Sequence, residues 1–572
     1  MSAKKKTFFR RTGVRVLLGF LVLIVVLVIY FTIVAVDRPP HIADKSSLSI
    51  QRQHPDSTTW VYGNNWMHKS KSGLWEVYLE GKPFERGAAF GQLTKELLYY
   101  QETTFFDQIR ELVPSDRYLK VLKYFTAFFN RNLDKSIPEE YKDEIYGTSF
   151  ACAPEYDFIG SGYQRQLNYH AAHDIGHALQ GLNLVGCTSF SVWDAKASDS
   201  CLLVGRNFDF YMGDKFAENK IVCFVNPSEG NRFMMITWAD LIGVVSGMNE
   251  KGLTITLNAS RSSVPKQAAT PVTLLAREIL QYASTIDEAY TIAKRRKLFV
   301  SESLMIGSAK DHSTAIIEKS PLKTSLFRST GNQIICSNHF QSDAFANDED
   351  NIENIKGSDS YMRYQRVEEL LKRHEKMNES DVAAVLRDQR VMGDRNAGMG
   401  NQLSINQLIA HHSVIFKPDS LLVWVSTSPW QLGQYVAYDL HEVFGSKKSP
   451  VSACHEIALE NRVIPADTFL NSPDYMKFID FRKMSAELRT YGKNKEPLPE
   501  GFIDEYETKN PEFYQEYVNL SSYFEKTGDY ADALKYTETA LRKILPGLDE
   551  KIKLTERSQK LRKKVHNGQT QH

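Results

Sequence analysis

Gly186-Cys187-Thr188-Ser189-Phe190, followed about twenty residues later by Gly205-Arg206-Asn207-Phe208-Asp209-Phe210, is the stretch on which the reading of this 572-residue chain turns. A Cys directly after a Gly, opening an alternating strand, is the pattern of a nucleophile made by cutting the chain in front of itself. Breaking the Gly186–Cys187 amide leaves a thiol and a free α-amine on one residue. An α-amine has a pKa of about 7.7–8.0, so near neutral pH part of it is unprotonated and can take the thiol's proton. Nucleophile and base then come as a pair, and no histidine is needed. Gly186 lacks a Cβ, which lets the chain bend tightly enough to bring the thiol onto the preceding carbonyl.

Downstream, strand patterns dominate. Residues 201–204, 220–225, 232–238 and 242–248 read as strands, and Asn249-Glu250-Lys251-Gly252 turns the last of these into a strand over 253–257. Helices are expected over 272–282 and 285–295, where Thr285 and Glu288 make a capping box. Strands return at 303–307, 313–318, 333–337, 412–416 and 421–426. Strands, then paired helices, then strands again predict an α+β architecture.

These motifs resemble the Cys-type N-terminal-nucleophile (Ntn) hydrolases. In particular they resemble the acyl-CoA:6-aminopenicillanic acid acyltransferase family (peptidase family C45) of the choloylglycine-hydrolase-like group. The similarity runs from about Gly81 to about Leu440, and it implies a four-layer αββα sandwich. It also implies roles. Asp209 would hydrogen-bond the free α-amine and tune its pKa, and Arg206 would steady the thiolate. Asn258, in Thr256-Leu257-Asn258-Ala259-Ser260, matches an oxyanion-side residue. Asn338, in Cys336-Ser337-Asn338-His339-Phe340, matches an amide that donates to the oxyanion. Arg363, in Ser360-Tyr361-Met362-Arg363, would orient the site's carboxylate or thiolate; the alternative makes Ser358 or Ser360 a helix cap and Arg363 a surface residue. His339, His411 and His412 are read as packing residues, because the mechanism requires no histidine.

Residues 37–186 form the leader, or small chain. Positions 41–70 are polar and loop-like, and Trp75–Leu79 alternates as a strand. In Gly81-Lys82-Pro83-Phe84-Glu85-Arg86-Gly87-Ala88-Ala89-Phe90-Gly91, the glycines four apart leave one helix face bare for close packing. Amphipathic helices follow over 92–150. His170, His173 and His177 are expected to pack near the scissile bond and not to hold a metal, since no third ligand is defined.

At the N-terminus, residues 1–15 carry six Lys and Arg, and 16–36 runs without a charge. This predicts a transmembrane helix over 16–36 with the basic segment in the cytoplasm and the catalytic body on the outer, periplasmic or extracellular, side. The alternative is a cleaved signal peptide. The catalytic domain is expected over 187–445 and a helical tail over 446–572. Within the tail, 511–545 fits one tetratricopeptide-like helix pair, docked on the body or open to a protein partner.

Composition excludes little else. Lys plus Arg is 70 against 69 for Asp plus Glu, so no basic surface points to nucleic acid. Six cysteines lie far apart with no C-x-x-C, which argues against a zinc site, and no cofactor is implied. Cys201, Cys223 and Cys336 read as buried small hydrophobes. The expected activity is hydrolysis of a linear, non-peptide amide of an N-acylated amine through an acyl-thioester on Cys187. The small and large chains would stay together after cleavage. Alternatives are an acyltransferase passing the acyl group to an amine and a non-catalytic docking protein.

Overall fold

β5 (Thr188–Val192), the strand that Cys187 opens, is hydrogen-bonded on both sides and buried along its whole length. The computed structural model describes residues 15, 17–30, 38–112, 130, 133–178, 186–261, 269–445 and 456–569. Among these, β5 belongs to a six-stranded sheet ordered β14-β5-β6-β15-β16-β17. Its other strands are β6 (Leu203–Phe208), β14 (Gln333–Cys336), β15 (His412–Lys417), β16 (Leu422–Ser426) and β17 (Tyr435–Asp439). Phe190 and Val192 point to one face of β5. Ser189 and Ser191 point to the other, where they meet hydroxyls of the second sheet: Ser189 Oγ lies 3.2 Å from Thr256 Oγ1 and Ser191 Oγ 2.8 Å from Thr314 Oγ1. The period of two is therefore kept although both faces are buried.

The second sheet has eleven strands, ordered β1-β2-β3-β4-β7-β8-β9-β10-β11-β12-β13. They are β1 (Gln53–Asp56), β2 (Thr59–Tyr62), β3 (Asn65–Lys69), β4 (Trp75–Gly81), β7 (Ile221–Pro227), β8 (Phe233–Thr237), β9 (Ser246–Asn249), β10 (Leu253–Ser260), β11 (Ser301–Ser308), β12 (Ser313–Lys319) and β13 (Thr324–Arg328). Side chains such as Val204, Phe224, Met234, Met305, Val414 and Val425 fill the space between the sheets. The outer face of the larger sheet carries helices including Pro83–Leu93, Val272–Tyr282 and Ile286–Arg295, packed in one apolar cluster with it. On the outer face of the smaller sheet, Phe190, Val192 and Ile415 meet Val367, Leu371, Val382 and Leu386 from the Ser360–Arg373 and Glu379–Leu386 helices. Helix, sheet, sheet and helix are the four layers of an α+β sandwich.

The segment before Gly186 is built into this sandwich. β4 pairs in parallel with β7 from Trp75↔Ile221 to Gly81↔Pro227. The glycine-bearing helix crosses Glu139–Ser149 so closely that a Cβ on Gly87 would lie 1.9 Å from the Glu144 carbonyl oxygen. Positions 41–70 are not all loop: β1, β2 and β3 occupy much of them. These strands have only four or five residues each, and β1 is exposed throughout. Strands this short leave almost no alternation to detect.

Three other expectations change. The strand expected from 242 begins only at Ser246, because the residues before it give their backbone groups to other partners. The Ile242 carbonyl accepts from Arg277, the Val244 N–H donates to Thr273 O, and the Val245 carbonyl accepts from Arg206. Cys201 is half-buried in the turn before β6, not in a core strand. The membrane span over 16–36 is overturned. Residues 17–30 are helical and exposed. Among the described residues no helix is long and apolar enough to cross a membrane. The outer placement of the body rested on that span and falls with it. The rest of the expected span, residues 16 and 31–36, lies outside the described residues.

The C-terminal region is helical. Tyr514–Thr527 and Tyr530–Leu541 form the expected pair, turned at Gly528 (φ +94°) and capped by Asp529, which accepts from the Asp532 N–H at 3.1 Å. The tetratricopeptide likeness rests on sequence pattern alone. Leu408, Ala410, Trp430 and Leu432 share one buried cluster with Phe478, Phe481, Tyr514 and Leu520, so the region docks on the two-sheet body.

Candidate active site

Cys187 sits at the start of β5, with 1% of its surface exposed. Burial pushes its thiol up, and the Arg206 guanidinium opposes that shift. Arg206, on the neighbouring β6, donates from Nη2 to Cys187 Sγ at 3.3 Å. The same guanidinium donates to the Val245 carbonyl at 2.7 Å, to the Leu257 carbonyl and to Ser246 Oγ, and it lies over the Phe208 ring at 4.5 Å. A delocalised, permanently charged fork with several fixed acceptors cannot swing away, so it presents a constant positive charge to the sulfur.

Asp209 follows the last residue of β6. Its backbone carbonyl accepts from the Gly186 N–H at 3.0 Å, which ties it to the residue before Cys187. Its carboxylate is fully buried, and neither oxygen has a hydrogen-bond partner among the described residues. Burial pushes it up to about 7, although Arg363 and Arg206 pull the other way. A buried carboxylate without a donor is costly. It marks a place where a donor is wanted.

Arg363 is in the site and fully buried, not on the surface. Nη1 donates to the Cys187 carbonyl at 2.7 Å and to Thr188 Oγ1 at 2.8 Å; Nη2 donates to Asn338 Oδ1 at 2.7 Å. Asn338 is thereby oriented with its amide donating to the Ala259 carbonyl at 2.8 Å. Ser360 caps nothing. Its hydroxyl instead accepts from the Asn338 N–H and meets His339 Nδ1, both at 2.8 Å. Asn258 faces β14 and β5: its amide donates to the Cys336 carbonyl at 3.0 Å, and its Oδ1 accepts from Ser189 at 2.8 Å. It thus stitches the two sheets together near Cys187.

One residue here, Gln407, has no local signal in the sequence. Gln407, from the loop before β15, donates from Nε2 to the Gly186 carbonyl at 2.8 Å. Behind Arg206, Ser246 Oγ meets His412 Nε2 at 2.8 Å, and His412 Nδ1 lies 2.9 Å from His411 Nδ1. Two Nδ1 atoms that close share one proton, so at least one ring is neutral. Burial and nearby cations agree, holding His411 down to about 3 and His412 far below its usual range. They buttress Arg206 and do not act as bases at the thiol. His170, likewise held low by burial, accepts from the Ile242 N–H at 3.0 Å. The side chains of His173 and His177 lie outside the described residues.

Residues 196–394 match the family model described as acyl-coenzyme A:6-aminopenicillanic acid acyl-transferase. That span includes Arg206, Asp209, Asn258, Asn338 and Arg363 and begins just after Cys187. An uncharacterized protein of Archaeoglobus fulgidus is 26% identical over 259 residues, 42% of this chain and 42% of the relative. Protein dcd1B of Dictyostelium discoideum is 22% identical over 263 residues, 43% of this chain and 50% of the relative. The chain thus spans half or less of the length of these curated relatives. Among solved structures, the Caenorhabditis elegans ortholog of N-acylethanolamine-hydrolyzing acid amidase is 18% identical. The match covers 41% of this chain and 93% of that one, with a TM-score of 0.29. A conjugated bile acid hydrolase from Clostridium perfringens is 13% identical, covering 45% and 93%, with a TM-score of 0.30. Over residues 196–394, which hold five of the six residues gathered around the thiol, the chain carries the sequence pattern of the acyl-coenzyme A:6-aminopenicillanic acid acyl-transferase family.

Proposed function

We propose that the protein is a self-activating cysteine amidase that acts on linear amides of N-acylated amines. The observation that carries this reading is the buried, unpartnered Asp209 carboxylate, anchored through its backbone to Gly186. Cleavage of the Gly186–Cys187 bond would create an α-amine next to it, and the ammonium form would supply the missing donors. The thiol also needs a base. Burial holds it protonated, so Arg206 alone does not make a thiolate near neutral pH.

In the proposed cycle the Cys187 α-amine takes the thiol proton, and sulfur attacks the substrate carbonyl. The developing oxyanion draws on the amide of Asn338, which Arg363 holds in place. One such donor is typically worth about 3–4 kcal/mol. The α-ammonium returns the proton to the leaving amine, and water then resolves the acyl-thioester by the same base. A transferase, in which an amine replaces that water, is the second reading; the description of the matching family model favours it.

The leader would stay bound after cleavage, because seven residue pairs join β4 to β7. Denaturing gels of the purified protein should show fragments 1–186 and 187–572, roughly 21 and 44 kDa of a 65.3 kDa chain. The Cys187→Ala chain should stay whole. Intact-mass analysis after incubation with N-acyl amino acids should find an acyl adduct on the larger fragment. A wild-type chain that stays whole and takes no adduct overturns the reading.

A further inference from the structure

Self-cleavage needs its own oxyanion donor, because the carbonyl attacked is that of Gly186 and not that of a substrate. The described residues supply one. Gln407, 3% exposed, donates its side-chain amide to the Gly186 oxygen at 2.8 Å. The flanking groups are fixed as well: the Gly186 N–H donates to Asp209 O at 3.0 Å, and the Cys187 carbonyl accepts from Arg363 at 2.7 Å.

Gln407 is aimed by its loop. Asn406 Oδ1 accepts from the Leu408 N–H at 3.0 Å, and the Asn406 N–H donates to Asp388 O at 2.9 Å. Leu408 takes a left-handed backbone (φ +54°), strained for a leucine, and is held by its burial beside the C-terminal helices. Gly186 leaves the room needed: a Cβ there would lie 2.7 Å from Gln407 Nε2. The glycine therefore does more than bend the chain. It admits the amide.

We propose that Gln407 is a catalytic residue of the self-cleavage step, donating to the oxyanion that forms on Gly186; this rests on the self-activating reading above. Cys187 sulfur adds to the Gly186 carbonyl carbon, a C–S bond forms, and the π pair moves onto oxygen beside Gln407 Nε2. The C–N bond then breaks. The thiol proton goes to the departing Cys187 nitrogen, and the carbonyl re-forms as a thioester. Water adds to the thioester and the C–S bond breaks. The thiol is regenerated, Gly186 ends as a carboxylate, and the remaining proton makes the amine an ammonium.

The test is a time course of fragment appearance in full-length chains made by cell-free translation. Gln407→Leu should slow cleavage by about 10²–10³-fold, the usual effect of deleting one oxyanion donor. Gln407→Glu keeps the shape, donates nothing when ionised and donates when protonated. Its deficit against wild type should therefore shrink as the pH falls toward about 5, a trend that a purely structural role does not give. Wild type that cleaves, with Gln407→Leu cleaving at the same rate or Gln407→Glu showing a pH-independent deficit, overturns this inference and leaves the amidase standing. Wild type that never cleaves removes the reading beneath it.

Discussion

Asp209 is the residue at which electrostatics and the proposed processing meet. Folded, it holds its proton to about pH 7; unfolded, it releases it near 3.8. Between those values the folded chain binds more protons, so its stability falls as pH rises. In the uncleavable Cys187→Ala chain, adding Asp209→Asn removes that dependence. The double variant should therefore gain stability relative to Cys187→Ala between about pH 4 and about pH 7. Urea denaturation of both chains at several pH values checks this, and a constant difference would mean that Asp209 has a donor. Gly186→Ala tests a second contact. Its methyl group meets the Gln407 amide, so cleavage should slow at least about tenfold, a penalty of 1.4 kcal/mol or more. Cys187, Arg206 and Asp209 were legible because 19 and 22 residues fix a hairpin: the β5–β6 register sets Ser189 opposite Arg206. Gln407 was not. It arrives more than 200 residues later, and only the sheet order brings β15, which its loop precedes, beside β6.

At the scale of elements, the Ser360–Arg373 helix was read correctly as a helix, and its first residue has a role that capping statistics do not suggest. The N-cap is Asp359, with no side-chain cap bond. Ser360, fully buried, turns its hydroxyl to the Asn338–His339 backbone and ring instead. Ser360→Ala leaves the buried Asn338 N–H without an acceptor and should cost about 1–3 kcal/mol. Because that N–H sits on the residue whose amide serves the proposed oxyanion, amide hydrolysis should fall as well. Urea denaturation of Cys187→Ala with and without Ser360→Ala reads the first effect, and hydrolysis by the cleaved chain reads the second. Unchanged stability would mean that the turn relaxes. Strands with full alternation, such as β5 and β10, were legible because packing between two layers enforces the pattern. The segment before Ser246 was misread. Its apolar side chains look strand-like, but its carbonyls serve Arg206 and Arg277. Hydrophobicity does not encode where a backbone carbonyl points.

On the scale of the whole molecule, the α+β sandwich was legible from the order of strands and helices, while the contribution of the C-terminal region to the site was not. Its amphipathic helices announce a buried face without naming what they cover. They cover the loop of Gln407: Phe478, 4% exposed, shares a cluster with Leu408 and meets Trp430 edge-on at 5.9 Å. Gly400 of the same loop lies beneath the Phe478 ring, which a Cβ there would approach to 3.2 Å. Phe478→Ala should cost about 3–5 kcal/mol through the cavity it leaves. Leu554→Ala removes another buried member of the cluster, on the Leu548–Gln569 helix, for about 2–5 kcal/mol. If the region acts on the site by bracing this loop, the two variants will part company in processing. Phe478→Ala will slow the appearance of fragment 187–572, and Leu554→Ala, at comparable stability loss, will leave it near the wild-type rate. Stability is read by urea denaturation in the Cys187→Ala background and processing by the fragment time course. Equal slowing by both would show that the helices support cleavage through global stability alone.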